Sequence, residues 1–266
     1  MKNSEFILPD KIKKIIEGMA YQLDDVGKSD SCVYIFDEMV LKIEKRNVRN
    51  DETIEVMKFL DGKILVPKVI CYEFDENYQY LLMSRITGKM ACDEYYLEHP
   101  EELLQILADT LKELWSIDTK TCPRIRNIDV ELAEAKYQVE NNLVDLDDVE
   151  QTTFSKDGFK DPFELLEWLK NNKPTYEPVL SHGDFCLPNI FIKNGKLSGL
   201  IDLGATGVGD KWRDIALCYR SLRNNFNGTY GGKVYEKFNP DMLFEYLGIK
   251  PNYDKIKYYL LLDELF

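Results

Sequence analysis

Histidine is almost missing from this chain: His99 and His182 are the only two in 266 residues. Two are too few for most histidine-rich metal centres. Cysteine occurs six times, at Cys32, Cys71, Cys92, Cys122, Cys186 and Cys218, but never as Cys-x-x-Cys. That spacing speaks against a zinc knuckle or a dithiol redox site. Scattered thiols fit a reducing compartment, so a cytoplasmic location is expected. No apolar run approaches the ~18 residues of a membrane span. Near the N-terminus only Phe6, Ile7 and Leu8 form an apolar run, so no signal peptide is expected. Positive charge is also short. There are 34 Lys and Arg against 47 Asp and Glu, for a net charge of −13. Phosphate-backbone binding needs clustered Lys and Arg, so nucleic acid is not an expected partner. The field of such a chain draws cations instead.

What is present is ample for a core. Hydrophobic residues make up 44% of the chain, which excludes disorder as the main state. Apolar spacing predicts a helix around Ile12, Ile15, Ile16 and Met19. Short strands follow over 33–36 and 39–43, with Asp37-Glu38 as the turn between them. A helix over 51–60 and a strand pair over 66–74 and 79–86 complete a small α+β unit, residues 1–86. Beyond Gly88 helices dominate, over 101–116, 130–143, 162–171, 211–223, 240–247 and 253–265. The strands in this part lie near 179, 190–193 and 196–201. The last two flank Asn194-Gly195, a strong hairpin signal. Residues 87–266 form the second unit. It holds 21 basic and 31 acidic residues, so most of the excess negative charge lies there.

Chemistry is concentrated in Ser181-His-Gly-Asp184-Phe-Cys-Leu-Pro-Asn189 and Ile201-Asp202-Leu-Gly204. Asp184 and Asn189 share a loop, and a hairpin returns Asp202 beside it. His-Gly-Asp alone is an ordinary loop tripeptide, and Asp-Leu-Gly alone could merely end a strand. Both halves at this spacing follow the logic of a kinase catalytic loop and its metal-binding aspartate. Phosphoryl transfer needs positioning and charge neutralisation. A carboxylate must orient the attacking hydroxyl, the role expected of Asp184. Hard oxygen ligands must hold Mg²⁺, the role expected of Asn189 and Asp202.

The first unit is then the expected nucleotide cradle. Lys42 lies in the apolar strand Met39-Val-Leu-Lys-Ile43, either facing solvent or reaching phosphate, and the second motif favours phosphate. Glu52 is the expected acidic partner of its ammonium, with Glu55 as the alternative. The segment Gly27-Lys28-Ser29-Asp30-Ser31 either bends over phosphates or is a polar turn.

Taken together these residues resemble the aminoglycoside phosphotransferases, particularly the 3′ branch. The likeness is strongest over 181–223 and again over 248–266, and Tyr80-Leu-Leu-Met-Ser-Arg-Ile-Thr-Gly88 resembles the hinge strand of that family. It implies a protein-kinase-like α+β fold with two lobes: a small antiparallel-sheet lobe and a larger, mainly helical one. It further implies ATP, with GTP possible, and Mg²⁺ as cofactors, and a cationic aminoglycoside as substrate. Carried over by position, Asp184 is the catalytic aspartate. Asn189 and Asp202 hold magnesium, Lys42 the α/β-phosphates, and Ser29 lies near the phosphates. Backbone groups from Ser84 to Ile86 meet the purine. Arg220 lies behind the active site, and Glu264 and Phe266 belong to a tail that approaches the aminoglycoside.

The sequence also departs from that pattern. Val40 stands where a nucleotide-stacking tyrosine is expected. Leu187 and Asn224-Asn225 replace acidic substrate contacts, and Gly228-Thr-Tyr-Gly-Gly232 is an apparent insertion. Without a gap, Thr53 rather than Glu52 falls at the ion-pair position. Asp145, Asp147, Asp148 and Glu150 are candidate replacements for the missing acids. Competing functions are a kinase of the same fold acting on another small alcohol, such as choline, a sugar or a macrolide, and a nucleotide-binding module without turnover.

Overall fold

The computed structural model describes residues 6–23, 31–147, 149–150 and 152–266, apart from the side chains of Val48 and Arg49. Ser29, most of the Gly27–Ser31 segment and Asp148 therefore lie outside the described residues.

The chain opens with helix α1 (Asp10–Ile16), strands β1 (Gln22–Leu23), β2 (Cys32–Ile35) and β3 (Met39–Lys45), and helix α2 (Val48–Leu60). Strands β4 (Val69–Phe74) and β5 (Tyr78–Ser84) follow. The five strands form one antiparallel sheet in the order β1-β2-β3-β5-β4. Asp37 and Glu38 make the β2–β3 turn, closed by the Phe36 amide donating to the Met39 carbonyl at 2.9 Å. Alternation along the strands sorts the two faces. Leu41, Ile43, Tyr80 and Leu82 bury against Ile12 of α1. Lys42 and its cross-strand partner Leu81 face the other way, and Leu81 packs with Ile54 and Met57 of α2. Lys42 is thereby set on the inner face of the sheet.

The second part runs through β6 (Lys89–Met90), α3 (Glu94–Glu98), α4 (Pro100–Ser116), α5 (Ile128–Glu140) and α6 (Pro162–Asn171). It continues with β7 (Pro178–Ser181), β8 (Ile190–Lys193), β9 (Lys196–Leu200), β10 (Gly207–Asp210), α7 (Lys211–Phe226), α8 (Met242–Leu247) and α9 (Tyr253–Asp263). The large core is built on α4, whose Leu103, Leu104, Leu107, Leu111 and Leu114 are all essentially buried, together with Ile215 and Leu222 of α7 and Leu262 of α9. Each such side chain contributes about 1.5–3 kcal/mol by leaving water. Two small antiparallel sheets, β7–β10 and β6–β8–β9, sit on this helical body. Asn194 and Gly195 both take positive φ, 55° and 69°, as a two-residue hairpin turn requires. No helix among the described residues is long and apolar enough to cross a membrane.

The expected elements are present with shifted ends. The helix expected over 51–60 begins at Val48, and that over 130–143 spans Ile128–Glu140. β1, β6, α3 and β10 escaped the sequence reading. All are two to five residues long, too short for periodicity to register.

Candidate active site

Asp184 sits in the loop between β7 and β8, and that loop is held from below by α7. Asp210 caps α7 by accepting from the Trp212 amide at 3.1 Å. One turn in, the fully buried Asp214 accepts from the Ser181 hydroxyl at 3.0 Å, the His182 amide at 2.9 Å and the Gly183 amide at 2.8 Å. Burial pushes the Asp214 carboxyl up from its usual range, against the pull of these donors and of His182. Gly183 has φ +82°, and a Cβ there would lie 2.3 Å from the Ala205 carbonyl oxygen, so only glycine fits. Arg213 is almost wholly buried. It donates to the Gly183 carbonyl at 3.2 Å and to Asp263 at 2.7 Å. His182 bonds the Ile201 carbonyl through Nε2 at 3.0 Å and accepts the Asp184 amide on Nδ1 at 3.3 Å.

On that platform Asp184 and Asn189 are bonded to each other, and the backbone brings Asp202 beside their loop. The Asn189 amide nitrogen donates to Asp184 Oδ2 at 2.8 Å and to the Asp184 carbonyl at 3.0 Å. The Cys186 thiol donates to Asp184 Oδ1 at 3.1 Å. Burial raises the Cys186 pKa well above the usual thiol range, which keeps it a protonated donor. The Ile201 amide donates to the Asn189 carbonyl at 2.9 Å, which brings Asp202 beside the loop. Asp202 takes a left-handed conformation, φ 58° and ψ 64°, at the head of the Leu203–Ala205 turn, a geometry that short polar side chains tolerate.

Lys42 faces Asp202 across a cavity of about 140 Å³, which Thr53, Ile54 and Met57 of α2 also line. Burial works against its charge, but the Asp202 and Glu44 carboxylates outweigh that and raise its pKa. Its ion-pair partner is Glu44 at 2.6 Å, which corrects the expected pairing with Glu52 or Glu55. Glu52 is 3.9 Å from Arg124, and Glu55 pairs with Lys58 at 2.8 Å on the surface. The signal was available: Glu44 lies two residues along the same strand, hence on the same face as Lys42. At the end of β5, the Ser84 amide donates to the Lys68 carbonyl and the Arg85 amide to the Glu38 carbonyl, both at 2.9 Å. Ile86 packs its side chain over Gly199 of β9.

Asp184 also lines a cavity of about 780 Å³. Five carboxylates line it, from Asp145, Glu150, Asp184, Asp263 and Glu264, against two guanidiniums, Arg220 and Arg223. Both arginines are already paired, Arg220 with Asp263 and Arg223 with Glu150. Glu264 accepts the Glu150 amide at 2.8 Å, and burial pushes its pKa up to about 7. Phe266 reaches the same cavity, 40% exposed. Leu187 is fully buried and does not line it. Of the candidate replacement acids, Asp145 and Glu150 line this cavity and Asp147 does not. Asp214, Arg213 and Arg124 were missed by the sequence reading. Asp214 had left one trace, an acid on the apolar face of an amphipathic helix, where it needs donors.

Magnesium suits this donor set. The Asn189 amide nitrogen is turned to Asp184, so the Asn189 oxygen and the Asp202 carboxylate are the hard oxygen donors that would hold such a cation. Residues 25–257 match the phosphotransferase enzyme family. The chain belongs to that family. This phosphotransferase is 39% identical over 268 residues to an aminoglycoside 3′-phosphotransferase of Enterococcus faecalis, with 96% of this chain and 97% of the relative covered. It is 40% identical over 214 residues to one of Campylobacter jejuni, covering 80% and 79%. The fold superposes with a TM-score of 0.79 on a Streptomyces rimosus aminoglycoside phosphotransferase in complex with ADP and streptomycin, at 21% identity and 96% and 95% coverage.

Proposed function

We propose that this phosphotransferase moves the γ-phosphoryl group of ATP to the 3′-hydroxyl of an aminoglycoside, and that its expression confers resistance. The observation that carries this reading is Asp184 on the wall of the acidic cavity, its carboxylate bonded to Asn189, whose carbonyl accepts the amide next to Asp202. Residues 1–86 are assigned as the nucleotide lobe and 87–266 as the catalytic and substrate lobe. Backbone groups from Ser84 to Ile86 are assigned to the purine, Lys42 to the α/β-phosphates, and Asn189 and Asp202 to magnesium. When bound, magnesium would neutralise charge on the phosphate oxygens. Asp184 orients the sugar hydroxyl and accepts its proton, while Asn189 and Cys186 fix the carboxylate. The carboxylates of the large cavity outnumber its guanidiniums, which suits a polyammonium ligand. Glu264 and Phe266 line the substrate side.

The test is ADP release across a drug panel with ATP and GTP. Kanamycin should be turned over, and an aminoglycoside lacking the 3′-hydroxyl should not. Equal turnover of both would refute the regiochemistry. Release with no aminoglycoside, but with choline or a macrolide, would refute the substrate class.

A further inference from the structure

Lys42 is paired within its own strand, so that ion pair does not tie α2 to the sheet. Yet α2 forms one wall of the Lys42–Asp202 cleft and packs on the Leu203–Ala205 turn. Its position sets the width of the proposed nucleotide site, so something must hold it there.

Arg124 does so. It lies in the loop between α4 and α5, outside every motif read from the sequence, and is only 6% exposed. Its backbone is clamped to β10: the Val208 amide donates to the Arg124 carbonyl at 2.9 Å, and the Arg126 amide to the Val208 carbonyl at 2.8 Å. From this fixed base in the large lobe the guanidinium forks. Nη1 donates to the Gly204 carbonyl, two residues after Asp202. Nη2 donates to the Thr53 hydroxyl of α2 at 2.9 Å. Nε lies 3.9 Å from the Glu52 carboxylate and has no hydrogen-bond partner among the described residues. A planar fork can span two acceptors at once, which an ammonium cannot do in the same geometry.

We propose that Arg124 is a positioning residue that ties α2 of the small lobe to the Asp202 turn of the large lobe, and thereby sets the affinity for the magnesium–nucleotide complex. This rests on the assignment of Asp202 to magnesium. Arg124 touches neither the proposed phosphates nor the acceptor hydroxyl. It acts through Gly204 and Thr53, and the effect of removing it should fall on nucleotide binding rather than on drug binding.

The test measures the Kd of a fluorescent ADP analogue at fixed Mg²⁺, the Mg²⁺ midpoint for that binding, and the kanamycin Kd by calorimetry, all on the full chain. Arg124→Met should weaken nucleotide binding about tenfold and raise the Mg²⁺ midpoint, with the kanamycin Kd within about twofold of the parent. Arg124→Lys should fall between. Thr53→Val, which removes the acceptor with little change in shape, should weaken nucleotide binding about threefold, and its effect should shrink in the Arg124→Met background. It serves as the test if Arg124→Met does not fold. A nucleotide Kd unchanged in these variants, equal losses for both ligands, or full additivity of the double variant would overturn the proposal. Asp202→Ala is measured alongside. An unchanged Mg²⁺ midpoint there would overturn the magnesium assignment itself, whereas a normal Asp202 effect with an inert Arg124 would overturn the tie alone.

Discussion

Asp184 and Glu264 are both carboxylates on the wall of one cavity, but their surroundings differ. Asp184 is gripped by the Asn189 amide and the Cys186 thiol. Glu264 is buried, with one backbone donor at 2.8 Å and the nearest Arg220 nitrogen at 3.9 Å. Its folded-state pKa of about 7 lies above the ordinary glutamate value of 4.5. Its contribution to stability is therefore complete below about pH 4.5 and is lost as pH rises through about 7. Glu264→Gln keeps an acceptor for the Glu150 amide and removes the titration. The variant should match the parent in thermal stability at pH 4.5 and exceed it at pH 8, by on the order of 2 kcal/mol. Thermal unfolding at the two pH values reads this out, and an equal difference at both would exclude Glu264 as the titrating group.

At the scale of elements, the site depends on the β7–β8 loop lying flat on the N-terminal turns of α7. At Gly183 the loop also lies close against the Leu203–Ala205 turn. Gly183→Ala forces φ +82° on a residue with a Cβ and drives that Cβ to 2.3 Å from the Ala205 carbonyl oxygen. The loop must lift, and Asp184 with it. A displacement of about 1 Å of a reacting group costs about 10²-fold, so kcat should fall by that order while the protein remains folded. Parent-like kcat would show that the contact is not needed. This scale also shows what was legible in the sequence. The Asn194-Gly195 hairpin, the strand carrying Lys42 and the return of Asp202 to the loop all follow from local turn chemistry and alternation. The partner of Lys42 was sought in the next helix, although strand alternation already put Glu44 beside it. The carboxylate of Asp214 and the guanidinium of Arg124 act across 31 to 80 positions of sequence, and no local pattern encodes such contacts.

Across the whole molecule the charge of −13 and the acidic cavity act together. A polycationic substrate should be drawn in by this field, and salt screens the attraction. Raising salt from roughly 0.05 to 0.5 M should therefore lower kcat/KM for kanamycin several-fold, with a smaller change in kcat. A salt-independent kcat/KM would mean that the field plays no part in capture. One carboxylate on the wall of this cavity, that of Asp184, is also bonded to the proposed magnesium ligand Asn189, and the account stands on that carboxylate. Asp184→Ala tests it most directly, with kanamycin-dependent ADP release and nucleotide affinity measured on the same preparation. The expected result is a loss of turnover of about 10³-fold or more, with the nucleotide Kd within about threefold of the parent. Turnover near that of the parent would contradict the account.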